Sequence, residues 1–157
     1  MGNPVPFYEM DVRTLAQAIA QGEMKTMDLV SESLARIAAI EDQVQAWSIL
    51  DEEEVLRQAK IISAEADAGK LRGPLHGIPV GVKEEFHVKG MPTRMRGEAE
   101  LTPEPEDATV VSRLREAGAI IMGKTHMPVL GLTPPTRNPW NLEHNPGGSS
   151  SGSGAAV

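Results

Sequence analysis

The spacing of the apolar residues changes once along the chain, near Leu71, and that change limits the fold more than any other feature. Before it, apolar side chains recur at helical intervals. After it come glycines, prolines and apolar runs too short to be helices. In the first part Val12, Leu15, Ala16, Ile19 and Ala20 follow Asp11, a good N-cap, and Gly22 ends the run, which predicts a short amphipathic helix. A second helix is predicted from Thr26 to near Ile40, with Val30, Leu34 and Ile37 in a stripe and Glu32 and Arg36 one turn apart on the exposed side. A third starts at Asp51, where Glu54 three residues on resembles a capping box, and Val55, Ala59, Ile62 and Ala66 line one face up to Gly69. Between the second and third, residues 46–50 are short enough for a strand or an extended connection.

From Leu71 onward, residues 78–82 read as a buried strand in which Pro79 must stand at the start or on an unpaired side, because proline has no N–H to donate. Residues 107–117 read as a helix with Ala108, Val111 and Leu114 inward and Gly118 as its stop, and residues 119–122 as a second strand. Strand, helix, strand in that order predicts an α/β layer with a crossover connection. Residues 90–106 read as loop.

Composition removes several function classes. The net charge is −7 with both signs spread along the chain, so no basic face is offered to nucleic acid or to anionic lipid. Without cysteine there are no disulfides, thiolate metal ligands or thiol nucleophiles, and the four histidines, His76, His87, His126 and His144, lack close metal-ligand spacing, so neither a metal nor a cofactor is expected. No apolar run approaches the ~20 residues of a membrane span, and residues 1–9 lack a secretory pattern, so the expected location is cytoplasmic.

Two places carry chemistry. Lys83 follows an apolar, glycine-flanked strand, where lost hydration favours a neutral amine that can act as a base. The plainer alternative has it capping the strand in solvent beside Glu84 and Glu85. The second place is the glycine and serine tract of residues 147–154, running into Ala-Ala-Val. Such a composition makes a flexible linker, but a glycine loop entering a helix also gathers backbone N–H groups around a ligand or a side-chain oxygen. The string GAIIMGKT at residues 118–125 satisfies a phosphate-loop pattern, yet its central positions are strand-like and Pro128 follows closely, so nucleotide binding is not expected.

Taken together and in order, GPLHGIPVGVKE at residues 73–84, GKTHMP at 123–128, and TRNPWN through PGGSSSGSGAAV at 136–157 resemble the amidase-signature family. The resemblance implies an incomplete amidase-signature fold over residues 1–157, with helices in 1–70 followed, in 71–157, by part of a mixed sheet and its flanking helices. It implies a hydrolase of carboxylic amides working through a serine, a cis-serine and a lysine, with a small-molecule amide as partner. Lys83 matches the catalytic lysine, Ser149 the serine after a cis peptide bond with Gly148, and Ser150 a supporting residue that helps orient the lysine. The family's nucleophilic serine falls beyond Val157, so a polypeptide ending there is expected to lack amidase activity alone, to self-associate through uncovered core surface and to carry a disordered serine tail.

The sequence departs from the family pattern where Glu84 and Glu85 replace the usual aspartate, where Arg94 and Arg96 enter a small, neutral stretch, and where MPVLGLTPP shortens a connection that helps line the acyl pocket. Alternatives are the amidase subunit of a tRNA-dependent amidotransferase, similar in RNPWN and the serine-glycine block, and a truncated, non-catalytic interaction module.

Overall fold

The carboxylate of Asp11 accepts the Thr14 amide at 2.9 Å and the Thr14 hydroxyl at 3.0 Å, satisfying a donor that a helix start leaves orphaned. It opens α1 (Val12–Ala20), which turns Leu15 and Ile19 inward. The computed structural model describes residues 6–94, 102–128 and 135–157; Arg96 and residues 129–134 of the shortened connection lie outside them.

Helix α2 (Thr26–Val44) runs a turn past its predicted end. The cause is Glu41, whose carboxylate accepts the amides of Ala46 at 3.1 Å and Trp47 at 2.8 Å, holding the last turn while the chain leaves as β1 (Trp47–Leu50). Arg36, one turn from Glu32, lies 5.4 Å over the Tyr8 ring, a cation–π contact. Helix α3 (Glu52–Asp67) begins as half a capping box. Asp51 accepts the Glu54 amide at 3.0 Å, but Glu54 takes a two-pronged bond from Arg57 at 2.6 and 2.8 Å, and a charge-assisted pair outcompetes a neutral backbone donor.

The sheet has three strands in the order β1-β3-β2. Strand β2 (Pro79–Lys83) begins with Pro79, where proline is tolerated, and pairs in parallel with β3 (Ile120–Thr125). Strand β1 pairs with β3 from the other side, antiparallel, so the sheet is mixed. Helix α4 (Thr109–Glu116) connects β2 to β3, and the short α5 (Ser151–Ala156) closes the described chain. Isolated bridges from Lys89 to Glu104 and from Pro92 to Pro103 fold the described ends of the predicted 90–106 loop against each other.

Every residue of β3 is buried. Ile120 and Met122 face Val30, Leu34, Val55, Ala59 and Ile62 of α2 and α3, while Ile121 faces Val82, Val88, Met91 and Val111 on the α4 side. The β2–β3 register shifts between Val80 and Gly81. A bulge of this kind adds one residue and reverses which face the following side chains meet. Beyond it Lys124 turns towards Pro92 and Thr93, and Thr125 towards Ser153.

Gly123 lies between β1 and β2, and a Cβ there would overlap the Ile49 carbonyl. Gly123→Ala is expected to cost about 1–3 kcal/mol through forced backbone displacement, read as a lower urea midpoint at unchanged slope. A wild-type midpoint would show that β1 can move aside.

Candidate active site

Strand β2 delivers Lys83 as its last residue, and the ladder goes one step further, with the Glu84 amide donating to the Thr125 carbonyl at 3.0 Å. Because strand side chains alternate, Lys83 and Glu84 leave on opposite faces. Lys83 Nζ donates to Ser149 Oγ at 2.6 Å and lies 3.1 Å from Glu85 Oε1, with its side chain only 14% exposed.

Ser149 reaches that point on a loop held by asparagines. Asn138, Asn141 and Asn145 each accept, through the side-chain oxygen, the amide two residues on, at 2.9, 3.1 and 2.9 Å. These are Asx turns, which the asparagine side chain makes readily. Thr136 Oγ1 donates to the Gln45 carbonyl at 2.8 Å, and the Arg137 amide to the Val44 carbonyl at 2.8 Å. The loop is thus tied to the end of α2. The Gly148–Ser149 peptide is cis.

Behind Ser149, α5 is docked rather than disordered, which corrects the expectation of a loose tail. The Gly152 amide donates to the His126 carbonyl at 2.9 Å, the His126 amide to the Ala46 carbonyl at 2.9 Å, and Thr125 Oγ1 shares a 2.8 Å bond with Ser153 Oγ. A Cβ on Gly152 would meet the Ala46 carbonyl oxygen and the His126 amide. Here glycine serves close backbone approach, which composition alone reads as flexibility. Ala155 packs on Val44 and Ala46.

Of the predicted residues, Lys83, Gly148 and Ser149 come together. Ser150 does not join them: its carbonyl accepts the Gly154 amide, and among the described residues its hydroxyl makes no bond to Lys83. The buried serine is Ser151, whose hydroxyl donates to the Gly147 carbonyl at 2.7 Å and braces the loop.

Sequence reasoning missed the polar group on the other face of the sheet. Lys124 is 0% exposed and Glu84 1% exposed. Lys124 Nζ donates to the Pro92 carbonyl and to Thr93 Oγ1, both at 2.8 Å. Burial pushes the Lys124 ammonium down to about 8, against the pull of Glu84 and Glu104. Burial likewise raises the Glu84 carboxyl, while Arg94 acts to lower it. The His126 imidazole is held below its usual range by burial and by Arg94. The available signal was a lysine inside the otherwise apolar run IIMGKT. In place of a phosphate loop, that string lies in β3 with its lysine turned inward.

A groove of about 610 Å³ beside α1, lined by Val12, Ala16, Leu71 and Pro74 among others, includes neither Lys83 nor Ser149. Among the described residues no group of three or more histidines and carboxylates is placed to hold a metal, and no helix is long and apolar enough to cross a membrane.

A profile of the family described as Amidase matches residues 28–157. The chain belongs to the amidase family. Among its amidase-family relatives, the A subunit of glutamyl-tRNA(Gln) amidotransferase from Thermobifida fusca (strain YX) is 39% identical over 158 residues, covering 95% of this chain and 32% of the relative. The same subunit from Bacillus velezensis (strain DSM 23117 / BGSC 10A6 / LMG 26770 / FZB42) is 40% identical over 159 residues, covering 96% and 33%. The native peptide amidase of Stenotrophomonas maltophilia superposes with a TM-score of 0.88 at 36% identity, over 98% of this chain and 35% of that one. The chain therefore spans about a third of the length of the curated relatives it matches, and its mixed α/β architecture is that part of the amidase fold.

Proposed function

We propose that Lys83 and Ser149 form the proton-relay part of a hydrolase of small carboxylic amides. The observation that carries the reading is the 2.6 Å bond between Lys83 Nζ and Ser149 Oγ. In the neutral form Lys83 accepts the Ser149 hydroxyl proton while Ser149 takes one from an attacking serine, so an alcohol becomes a nucleophile without imidazole. When the C–N bond breaks, the proton returns by the same path to the departing nitrogen. Glu85, 3.1 Å from Nζ, gives the amine a second anchor, and Ser151 holds the loop that offers Ser149.

The test is hydrolysis of simple amides by the protein expressed from its own reading frame. Ser149→Ala is expected to lower kcat by about 10²-fold, the lower end for loss of a proton-transfer group. Unchanged kcat would sink the relay.

A second reading, that the chain belongs to the A subunit of a glutamyl-tRNA(Gln) amidotransferase, is favoured by its curated relatives. Co-purification with partner subunits and amidation of Glu-tRNA(Gln) would support it. Hydrolysis of free amides without partners would favour the first reading.

A further inference from the structure

The relay occupies one face of the β2–β3 ends, and the groups on the other face have no part in it. Glu84 is adjacent to Lys83, and its backbone is fixed by the bond to Thr125. Its buried carboxylate lies 3.7 Å from Arg94 Nε and 3.9 Å from His126 Nδ1, and Oε1 accepts no hydrogen bond among the described residues. Lys124 has three N–H donors, of which two hold Pro92 and Thr93. Among the described residues, one Lys124 donor and Glu84 Oε1 therefore have no hydrogen-bond partner, and the two groups carry opposite charge.

This cluster joins three pieces of chain: the end of β2 through Glu84, the end of β3 through Lys124 and His126, and residues 92–94. The His126 carbonyl also holds the Gly152 amide at 2.9 Å, which anchors the loop bearing Ser149. The Glu84 carboxylate thus lies beside the two chain segments that carry the partners of the relay bond.

We infer that Glu84 is a positioning residue for Lys83: its buried carboxylate, reached by Arg94 and His126 and backed by Lys124, pins the ends of β2 and β3 from the face opposite Ser149. The inference rests on the hydrolase reading above. Glu84→Gln keeps the side-chain size and removes the charge, whereas Glu84→Asp keeps the charge on a shorter stem. In the protein expressed from its own reading frame, Glu84→Gln is expected to lower kcat ~50-fold with KM within ~3-fold, and Glu84→Asp to recover to within ~5-fold of wild type. A purely structural role would move the melting temperature without that split.

A second readout needs no turnover. Labelling of Lys83 by trinitrobenzenesulfonate, followed by peptide mass spectrometry, is expected to quicken ~10-fold in Glu84→Gln as the amine leaves Ser149. Wild-type kcat together with wild-type labelling in Glu84→Gln would overturn the inference and leave the hydrolase reading standing. An active Lys83→Met variant would instead sink that reading, and the labelling rates would still decide the role of Glu84. If Glu84→Gln fails to fold, Glu84→Gln/Lys124→Met removes both charges together and carries the same expectations.

Discussion

Lys83→Met is expected to lower kcat for amide hydrolysis by about 10³–10⁴-fold, the upper end for general acid–base groups, because under the proposed relay it removes the final proton acceptor rather than an intermediate link. Methionine matches the lysine stem without its Nζ and suits a side chain only 14% exposed, so the end of β2 should keep its packing. With substrate contacts unchanged, kcat and kcat/KM fall together while KM stays within ~3-fold, the pattern of an interaction made only in the transition state. Lys83→Arg should not rescue, since a guanidinium remains protonated and cannot accept the Ser149 proton. Steady-state kinetics on folded variants decides this: more than a tenth of wild-type kcat in Lys83→Met would exclude Lys83 as the base.

Much of the scaffold was legible because it follows from local chemistry. Asp11 and Asp51 mark their helix starts through bonds to the amides of Thr14 and Glu54, and Pro79 marks the first residue of β2 by lacking a donor. Where a distant group decides, local signals fell short. Nothing near Ile40 shows that Glu41 will reach forward to Ala46 and Trp47 and prolong α2. The four residues of β1 carry too little pattern to separate a strand from a connection.

At the site, the residue types could be read but not their contacts. Lys83 and Ser149 stand 66 positions apart, and only the resemblance joined them in advance. Three successive serines are chemically alike in sequence; the fold separates them by aiming Ser149 at the lysine and burying Ser151 against the Gly147 carbonyl, while the Ser150 hydroxyl makes no bond to Lys83 among the described residues. Lys124 was hidden by the bulge opposite Val80 and Gly81, since strict alternation from Ile120 and Met122 would place it on the wrong face.

That buried lysine carries the largest stability effect. Lys124→Met is expected to destabilise the fold by about 3–5 kcal/mol, the scale seen when a buried cluster of opposite charges loses one member. Glu84 keeps Arg94 at 3.7 Å but loses the attraction of Lys124, and Pro92 and Thr93 lose their donor. Glu84→Gln added to Lys124→Met should recover part of the loss, because the uncompensated charge goes too. The pH dependence has a definite sign. Between about 8 and the ordinary 10.5, the unfolded chain keeps the Lys124 proton while the folded chain has lost it, so this group's contribution to stability rises with pH through that window and its cost is complete below it. Glu84, raised above 4.5 by burial, takes up its proton in the folded state first as pH falls, which relieves its cost on the acid side. Without Lys124 that uptake begins at higher pH. The gap between wild type and Lys124→Met should therefore narrow towards pH 5 and widen towards pH 10, as measured by urea unfolding at both limits and at neutrality. A gap that is constant across that range would mean that Lys124 acts through packing alone, and equal stabilities at neutral pH would mean that its charge does not support the buried cluster.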